Sequence, residues 1–86
     1  MWGFTEEERR VLTAATGNIP ELRAVLERGV PRPELAEGLL LVQATLSELD
    51  EMYSLVEALM DGTRGKRRLE LLDGLLASLC TSIDGF

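Results

Sequence analysis

A regular seven-residue repeat of apolar side chains in the middle of the chain constrains its fold more than any other feature. Eight apolar residues of this segment are spaced alternately four and three positions apart: Leu35, Leu39, Val42, Leu46, Leu49, Tyr53, Val56 and Met60. This spacing places them on one face of a helix and is typical of helices that pack in bundles and coiled coils. Because no proline follows Pro33 in this segment, the repeat predicts one long helix over about 33–60.

A second segment with the same kind of repeat follows a short glycine-containing turn. Its apolar residues are again spaced three and four positions apart: Leu69, Leu72, Leu76, Leu79 and Ile83. They predict a helix over about 66–83. Two such helices joined by a short turn pack antiparallel at a small crossing angle. The central expectation is therefore a long antiparallel helical hairpin.

Two shorter helices are expected before the hairpin. Thr5 and Glu8 have the spacing of a capping box, in which each side chain accepts from the other residue's backbone N–H. This pair predicts the start of a first helix over about 6–16. Asn18 is the expected N-cap of a second helix, with Pro20 in its first turn.

Four consecutive apolar residues stand inside the long predicted helix: Leu39, Leu40, Leu41 and Val42. On a helix they would point in all directions and would need cover on every side. The predicted fourth helix is too short to reach them, so we expect cover from the N-terminal helices and from a second copy of the chain. Trp2 and Phe4 are interpreted as a lid on the core in preference to an anchor for another protein. The predicted fold is thus a single all-α domain over residues 1–86 that forms a helical bundle across a homodimer.

The one cluster of positive charge lies at the predicted turn between the long helices and consists of Arg64, Lys66, Arg67 and Arg68. The surrounding glycines suggest a phosphate-binding loop, but that motif needs glycine where Met60 stands and serine or threonine where Arg67 stands. Two interpretations remain. Either Glu57, Asp61 and Glu70 neutralise the cluster, or it contacts a small anion or an acidic partner.

The composition argues against catalysis and against most ligands. The chain has no histidine and a single cysteine, Cys80, so it cannot form an internal disulfide or a nitrogen–sulfur metal site. No histidine is present to activate Cys80, which is interpreted as a small core or interface side chain. The net charge of −6 disfavours contact with nucleic acid or with an anionic membrane. We expect no enzymatic activity, no metal and no cofactor.

Two functions remain after these exclusions. The first is a non-enzymatic protein–protein interaction module, such as a small adaptor, accessory or regulatory protein, that acts as a homo-oligomeric helical bundle. Its partners would be a second copy of the chain and another protein. The alternative is a small regulator that binds an anionic ligand or nucleic acid through the basic turn at 64–68. No apolar run approaches the ~20 residues of a membrane span and no signal peptide is recognisable, so a cytoplasmic location without a membrane partner is expected.

Overall fold

The computed structural model describes residues 1–85 and contains four helices and a small three-stranded sheet. In chain order the elements are β1 (Trp2–Thr5), α1 (Glu6–Ala15), α2 (Pro20–Glu27), β2 (Val30–Pro31), β3 (Leu39–Val42), α3 (Leu46–Gly62) and α4 (Lys66–Asp84). Most of the chain is helical, which confirms the broad expectation of a helical protein, but the sheet was not predicted. Within the described residues, no helix combines the length and the hydropathy that a membrane crossing requires.

The predicted helix over 33–60 is wrong in its first half, because α3 begins only at Leu46. Thr45 and Glu48 form a capping box there. The Thr45 hydroxyl accepts from the Glu48 backbone N–H at 3.1 Å, and the Glu48 carboxylate accepts from the Thr45 N–H at 2.9 Å. This pair satisfies two N–H groups that a helix start leaves open and so fixes the boundary. Upstream, Gly38 adopts a φ of +77°, which a long helix could not accommodate.

The other predicted helices are formed close to their expected positions. α1 and α4 match the predictions over 6–16 and 66–83, and the capping box of Thr5 and Glu8 is present at the start of α1. The predicted N-cap Asn18 is wrong by one residue. Ile19 holds the N-cap position of α2, no side chain caps it, and Pro20 occupies the first turn. Proline suits that position because its missing N–H would have no helical partner there.

The sheet joins the N-terminus to the middle of the chain. Its order is β1-β3-β2, and both pairs are antiparallel. In the register of β1 with β3, Trp2 lies opposite Val42 and Phe4 lies opposite Leu40. All four of these side chains are buried. The segment from 39 to 42, predicted as a helical girdle, is therefore the central strand.

Side chains alternate between the two faces of a strand, so the four apolar residues of β3 are divided two and two. Leu40 and Val42 point inward, where β1 and the helices cover them. Leu39 and Leu41 lie on the opposite face and are only half-buried. The expected cover from the N-terminal part of the chain is thus found on one face of the strand alone.

The helices enclose a single core against the inner face of the sheet. α3 and α4, joined by residues 63–65, make the most extensive contact of any two elements, and α4 also contacts β1. α2 packs on α3, while α1 contacts α2, α4 and β1. The most deeply buried side chains come from every helix and from β1: Trp2, Phe4, Leu12, Leu22, Val25, Leu26, Leu49, Met52, Val56, Leu72, Leu75 and Leu79. Trp2 and Phe4 therefore belong to the core itself.

We expect Leu40→Ala to reduce the free energy of unfolding by about 2–4 kcal/mol, because truncation of a buried leucine leaves a cavity. Leu46→Ala is the matched control, since Leu46 is 46% exposed, and it should cost less than about 1 kcal/mol. Denaturant melts of the two variants give the comparison. Equal costs would show that Leu40 does not occupy the inner face of a central strand.

Candidate interaction surfaces

The face of the sheet turned away from the helices is mostly apolar and remains partly exposed. We define the outer sheet face as Gly3, Val30, Leu39 and Leu41, which come from all three strands. Val30 lies opposite Leu41, and Gly3 lies opposite Leu41 on the other side. Antiparallel sheets with one solvated face usually alternate apolar and polar residues, whereas β3 is apolar on both faces. A strand of this composition is typical of sheets that are covered on both sides.

Three of the four exposed large apolar side chains lie in or beside this face. Among the described residues, four large apolar side chains are exposed: Met1, Val30, Leu35 and Leu46. Met1 and Val30 line one shallow open groove with Leu41, and Leu35 lies in the turn that links β2 to β3. Val30 is 56% exposed and Leu35 is 65% exposed. Scattered exposed leucines are ordinary on protein surfaces, but a contiguous apolar patch marks a contact site.

Gly3 lets the two half-buried leucines of β3 fold across the sheet. A Cβ atom at position 3 would lie 2.9 Å from Leu41 Cδ2 and 3.2 Å from Leu39 Cδ1. No side chain fits there unless these leucines move. The leucine side chains therefore spread over bare backbone, which leaves a flat apolar surface.

The edges of the sheet are poorly suited to pairing with another strand. β2 is only two residues long and contains Pro31, which has no N–H to donate. At the other edge β1 is held against α4: Trp2 Nε1 donates to Ser78 Oγ at 3.0 Å, and Ser82 Oγ donates to the Met1 carbonyl at 3.0 Å. A partner would therefore pack against the outer face rather than extend the sheet.

Arg28 and Glu48 brace the chain beside the outer sheet face. Arg28 donates to the Gln43 carbonyl and to the Glu48 carboxylate, both at 3.1 Å, and so connects the end of α2 with the start of α3. The hydrogen bond from the Thr45 backbone N–H lowers the pKa of Glu48. Partial burial opposes this shift, and the Arg28 guanidinium reinforces it. The ionised carboxylate is thereby favoured.

The basic cluster at the start of α4 is exposed and only loosely paired. Arg67 Nη2 lies 3.9 Å from Oε1 of Glu7 in α1, and the Arg67 side chain is 92% exposed. Among residues 1–85, no carboxylate lies within 4.0 Å of the charged atoms of Arg64, Lys66 or Arg68. Of the two interpretations, neutralisation by Glu57, Asp61 and Glu70 therefore has no ion pair within 4.0 Å to support it in this part of the chain. Gly65, at the N-cap, supplies no side-chain cap.

The two predicted groups of site residues do not form one site. Leu39–Val42 lies in the sheet, whereas Arg68 lines a separate groove built from α1, α3 and α4. Cys80, predicted to be a core or interface side chain, is exposed. In the described part of the chain, no group of three histidine, cysteine or acidic side chains is placed so that it could hold a metal ion.

Comparisons with protein families, with curated proteins and with solved structures find no match to this chain.

We expect Glu48→Gln to destabilise the protein by about 0.5–1 kcal/mol at pH 7, since glutamine keeps a capping oxygen but loses the charge that Arg28 pairs with. Because folding lowers the pKa of Glu48, the contribution of its charge is complete above the unfolded pKa of about 4.3 and disappears as the pH falls through the folded pKa. Denaturant melts from pH 7 to about pH 3 measure this difference. Glu51→Gln on the same helix is the control and should show little change at either pH. A loss that stays constant over the whole range for Glu48→Gln would contradict the assignment.

Proposed function

We propose that this chain is a non-enzymatic protein–protein interaction module that forms a homodimer through the outer sheet face. One observation carries the proposal: β3 is apolar on both faces, and the chain itself covers only one of them. The dimer proposed is a packing of two sheet faces, which replaces the helical bundle expected from the seven-residue repeats.

The apolar residues in and beside the outer sheet face support its burial against a partner. Complete burial of an exposed valine, leucine or methionine contributes about 1.5–3 kcal/mol. Met1, Val30 and Leu35 are each more than half exposed and have most of this contribution still to gain. A chain of 86 residues also has a small core of its own, so added burial matters more here than in a large domain.

The charges beside the outer sheet face permit contact between two copies. The chain carries a net charge of −6, so most of its surface repels a second copy. Near this face, however, Arg28 forms an ion pair with Glu48, and Arg32 forms one with Glu34. Each pair has a nitrogen–oxygen distance of 3.1 Å. A two-fold axis would place the same apolar patch on both sides of the interface.

The size of the sheet implies that the interface extends beyond it. A stable interface usually buries about 800 Å² on each partner, more than three short strands provide. Residues 31–38 are all exposed and adjoin the patch, and they include Leu35. We therefore place this turn in the dimer contact together with the strands.

A second candidate function is binding of an anionic ligand or of nucleic acid by the basic cluster. The absence of carboxylates within 4.0 Å of Arg64, Lys66 and Arg68 among the described residues favours it. So do the N–H groups of the first turn of α4, which no side chain caps. The net charge of −6 opposes it for a polyanion such as DNA.

We expect light scattering at micromolar concentration to give about twice the chain mass of 9.5 kDa. Val30→Lys combined with Leu35→Lys should shift the protein to the monomer, because an interface cannot bury unpaired ammonium groups without a large cost. Ala24→Lys adds a charge at an exposed position of α2, away from the sheet, and should remain dimeric. A wild-type mass of 9.5 kDa, or dissociation by the control as well, would overturn the proposal.

The second candidate is tested by anisotropy of a fluorescent DNA duplex at about 50 and 200 mM salt, a range over which phosphate contacts weaken strongly. We expect no binding by the wild-type protein at either salt concentration. Salt-sensitive binding that is abolished by Arg64→Ala, Lys66→Ala and Arg68→Ala together would instead favour the regulator function.

A further inference from the structure

A second, partly exposed apolar stripe lies along the contact between α3 and α4, at the margin of the core. On each helix one apolar residue recurs every seven positions, and we call these six residues the outer seam: Leu46, Tyr53, Met60, Leu69, Leu76 and Ile83. Leu46 is exposed and the other five are half-buried. Other apolar residues that also recur every seven positions, such as Leu49 and Val56, are fully buried. The outer seam is therefore the solvent side of the contact between the two helices.

The two halves of the seam run side by side along the helix pair. Leu46 at the start of α3 and Ile83 near the end of α4 line one open groove together with Ser47 and Asp50. The helices are thus antiparallel. With equal spacing on both helices, Tyr53 falls opposite Leu76 and Met60 falls opposite Leu69. The fourteen-residue separation of Leu46 and Met60 gives the seam a length of about 21 Å, or nearly four helical turns.

Acidic side chains border the seam on both helices, and all of them are exposed: Asp50, Glu57, Asp61, Asp73 and Asp84. Asp50 follows Leu46 by four residues, Glu57 follows Tyr53 by four, and Asp73 follows Leu69 by four. Residues four apart are neighbours on a helix surface, so each carboxylate stands beside a seam residue. At the Met60–Leu69 end of the seam the corresponding positions hold cations instead: Arg64 follows Met60 by four residues, and Lys66 precedes Asp73 by seven. None of the five carboxylates has an ion-pair partner within 4.0 Å in residues 1–85.

We propose that the outer seam binds a basic amphipathic helix of another protein. The apolar stripe of such a helix would lie along the seam and enter the groove at its Leu46–Ile83 end, as in other complexes where a helix lies in a groove. Its lysine and arginine side chains would meet the acidic borders on both sides. The charge pattern selects against a second copy at this place, because self-pairing would set five carboxylates against five. This inference uses a different surface from the proposed dimer and does not depend on it.

The probe is a synthetic helical peptide of about 18 residues, long enough to span the seam, with leucine at the two apolar heptad positions and lysine elsewhere. Its binding to the full chain is measured by fluorescence anisotropy. We expect binding that weakens with salt, and none for the same peptide with glutamate in place of lysine. Absence of binding by the lysine peptide would overturn the proposal.

Matched charge variants separate the seam from general attraction between an acidic protein and a basic peptide. The triple variant Asp50→Asn, Glu57→Gln and Asp73→Asn should weaken binding at least about tenfold, an effect of about 1.4 kcal/mol. The triple variant Glu21→Gln, Glu27→Gln and Glu51→Gln removes the same charge from exposed positions off the seam and should bind within about twofold of wild type. Equal weakening by the two triples would contradict a specific site.

Leu46→Gln tests the apolar part of the seam at unchanged charge. Because Leu46 is already 46% exposed, the variant should fold normally, and circular dichroism verifies this. We expect peptide binding about fivefold weaker or more, since the apolar contact at one end of the seam is lost. Unchanged affinity would show that charge alone holds the peptide. Light scattering on the same variants distinguishes this result from failure of the dimer, which they should leave intact.

Discussion

Pairing of β1 with β3 is the interaction on which the rest of the structure depends. It brings the N-terminal residues Trp2 and Phe4 onto the inner face of a strand nearly forty positions later in the chain. The two aromatic rings pack with centroids 4.7 Å apart, and Trp2 also donates to Ser78 of α4. One short strand therefore connects the sheet with the C-terminal helix and closes the core between them. Without it, Leu40 and Val42 would lose the aromatic side chains that pack beside them, and α4 would lose its contact with the sheet.

The parts of the fold that local patterns determine could be predicted, and the sheet could not. α1 and α4 follow from capping and from helical periodicity, which involve neighbouring residues only. The repeat over 35–60 misled because its spacing continues through Leu35 and Leu39 into a segment that is not helical. Two local signals pointed to the true boundary: the capping box of Thr45 and Glu48, and a short apolar run bounded by glycine, which fits a buried strand as well as a helix. The partner of that strand lies far away in the sequence, so no local pattern identifies it.

The candidate surfaces, like the fold, could be predicted only where they depend on local sequence patterns. The need of residues 39–42 for cover was visible in the sequence, but its geometry depends on strand alternation, which gives one face to the core and leaves the other open. The basic cluster was found as a charge run, while its separation from the sheet is a consequence of tertiary packing. The outer seam belongs to the repeat that predicted the helices. Its role as a surface emerged only once the structure showed which heptad positions are buried and which carry acidic neighbours.

The central claim is that residues 39–42 form a strand paired with the N-terminus, and solution NMR tests it most directly. The structure predicts extended Cα chemical shifts for residues 39–42 and cross-strand NOEs that join Trp2 to Val42 and Phe4 to Leu40. It also predicts contacts between the Gly3 α-protons and the methyl groups of Leu41, which lie against each other on the outer sheet face. Helical shifts and sequential amide NOEs that continue from residue 35 into α3, without contacts to the N-terminus, would contradict the account.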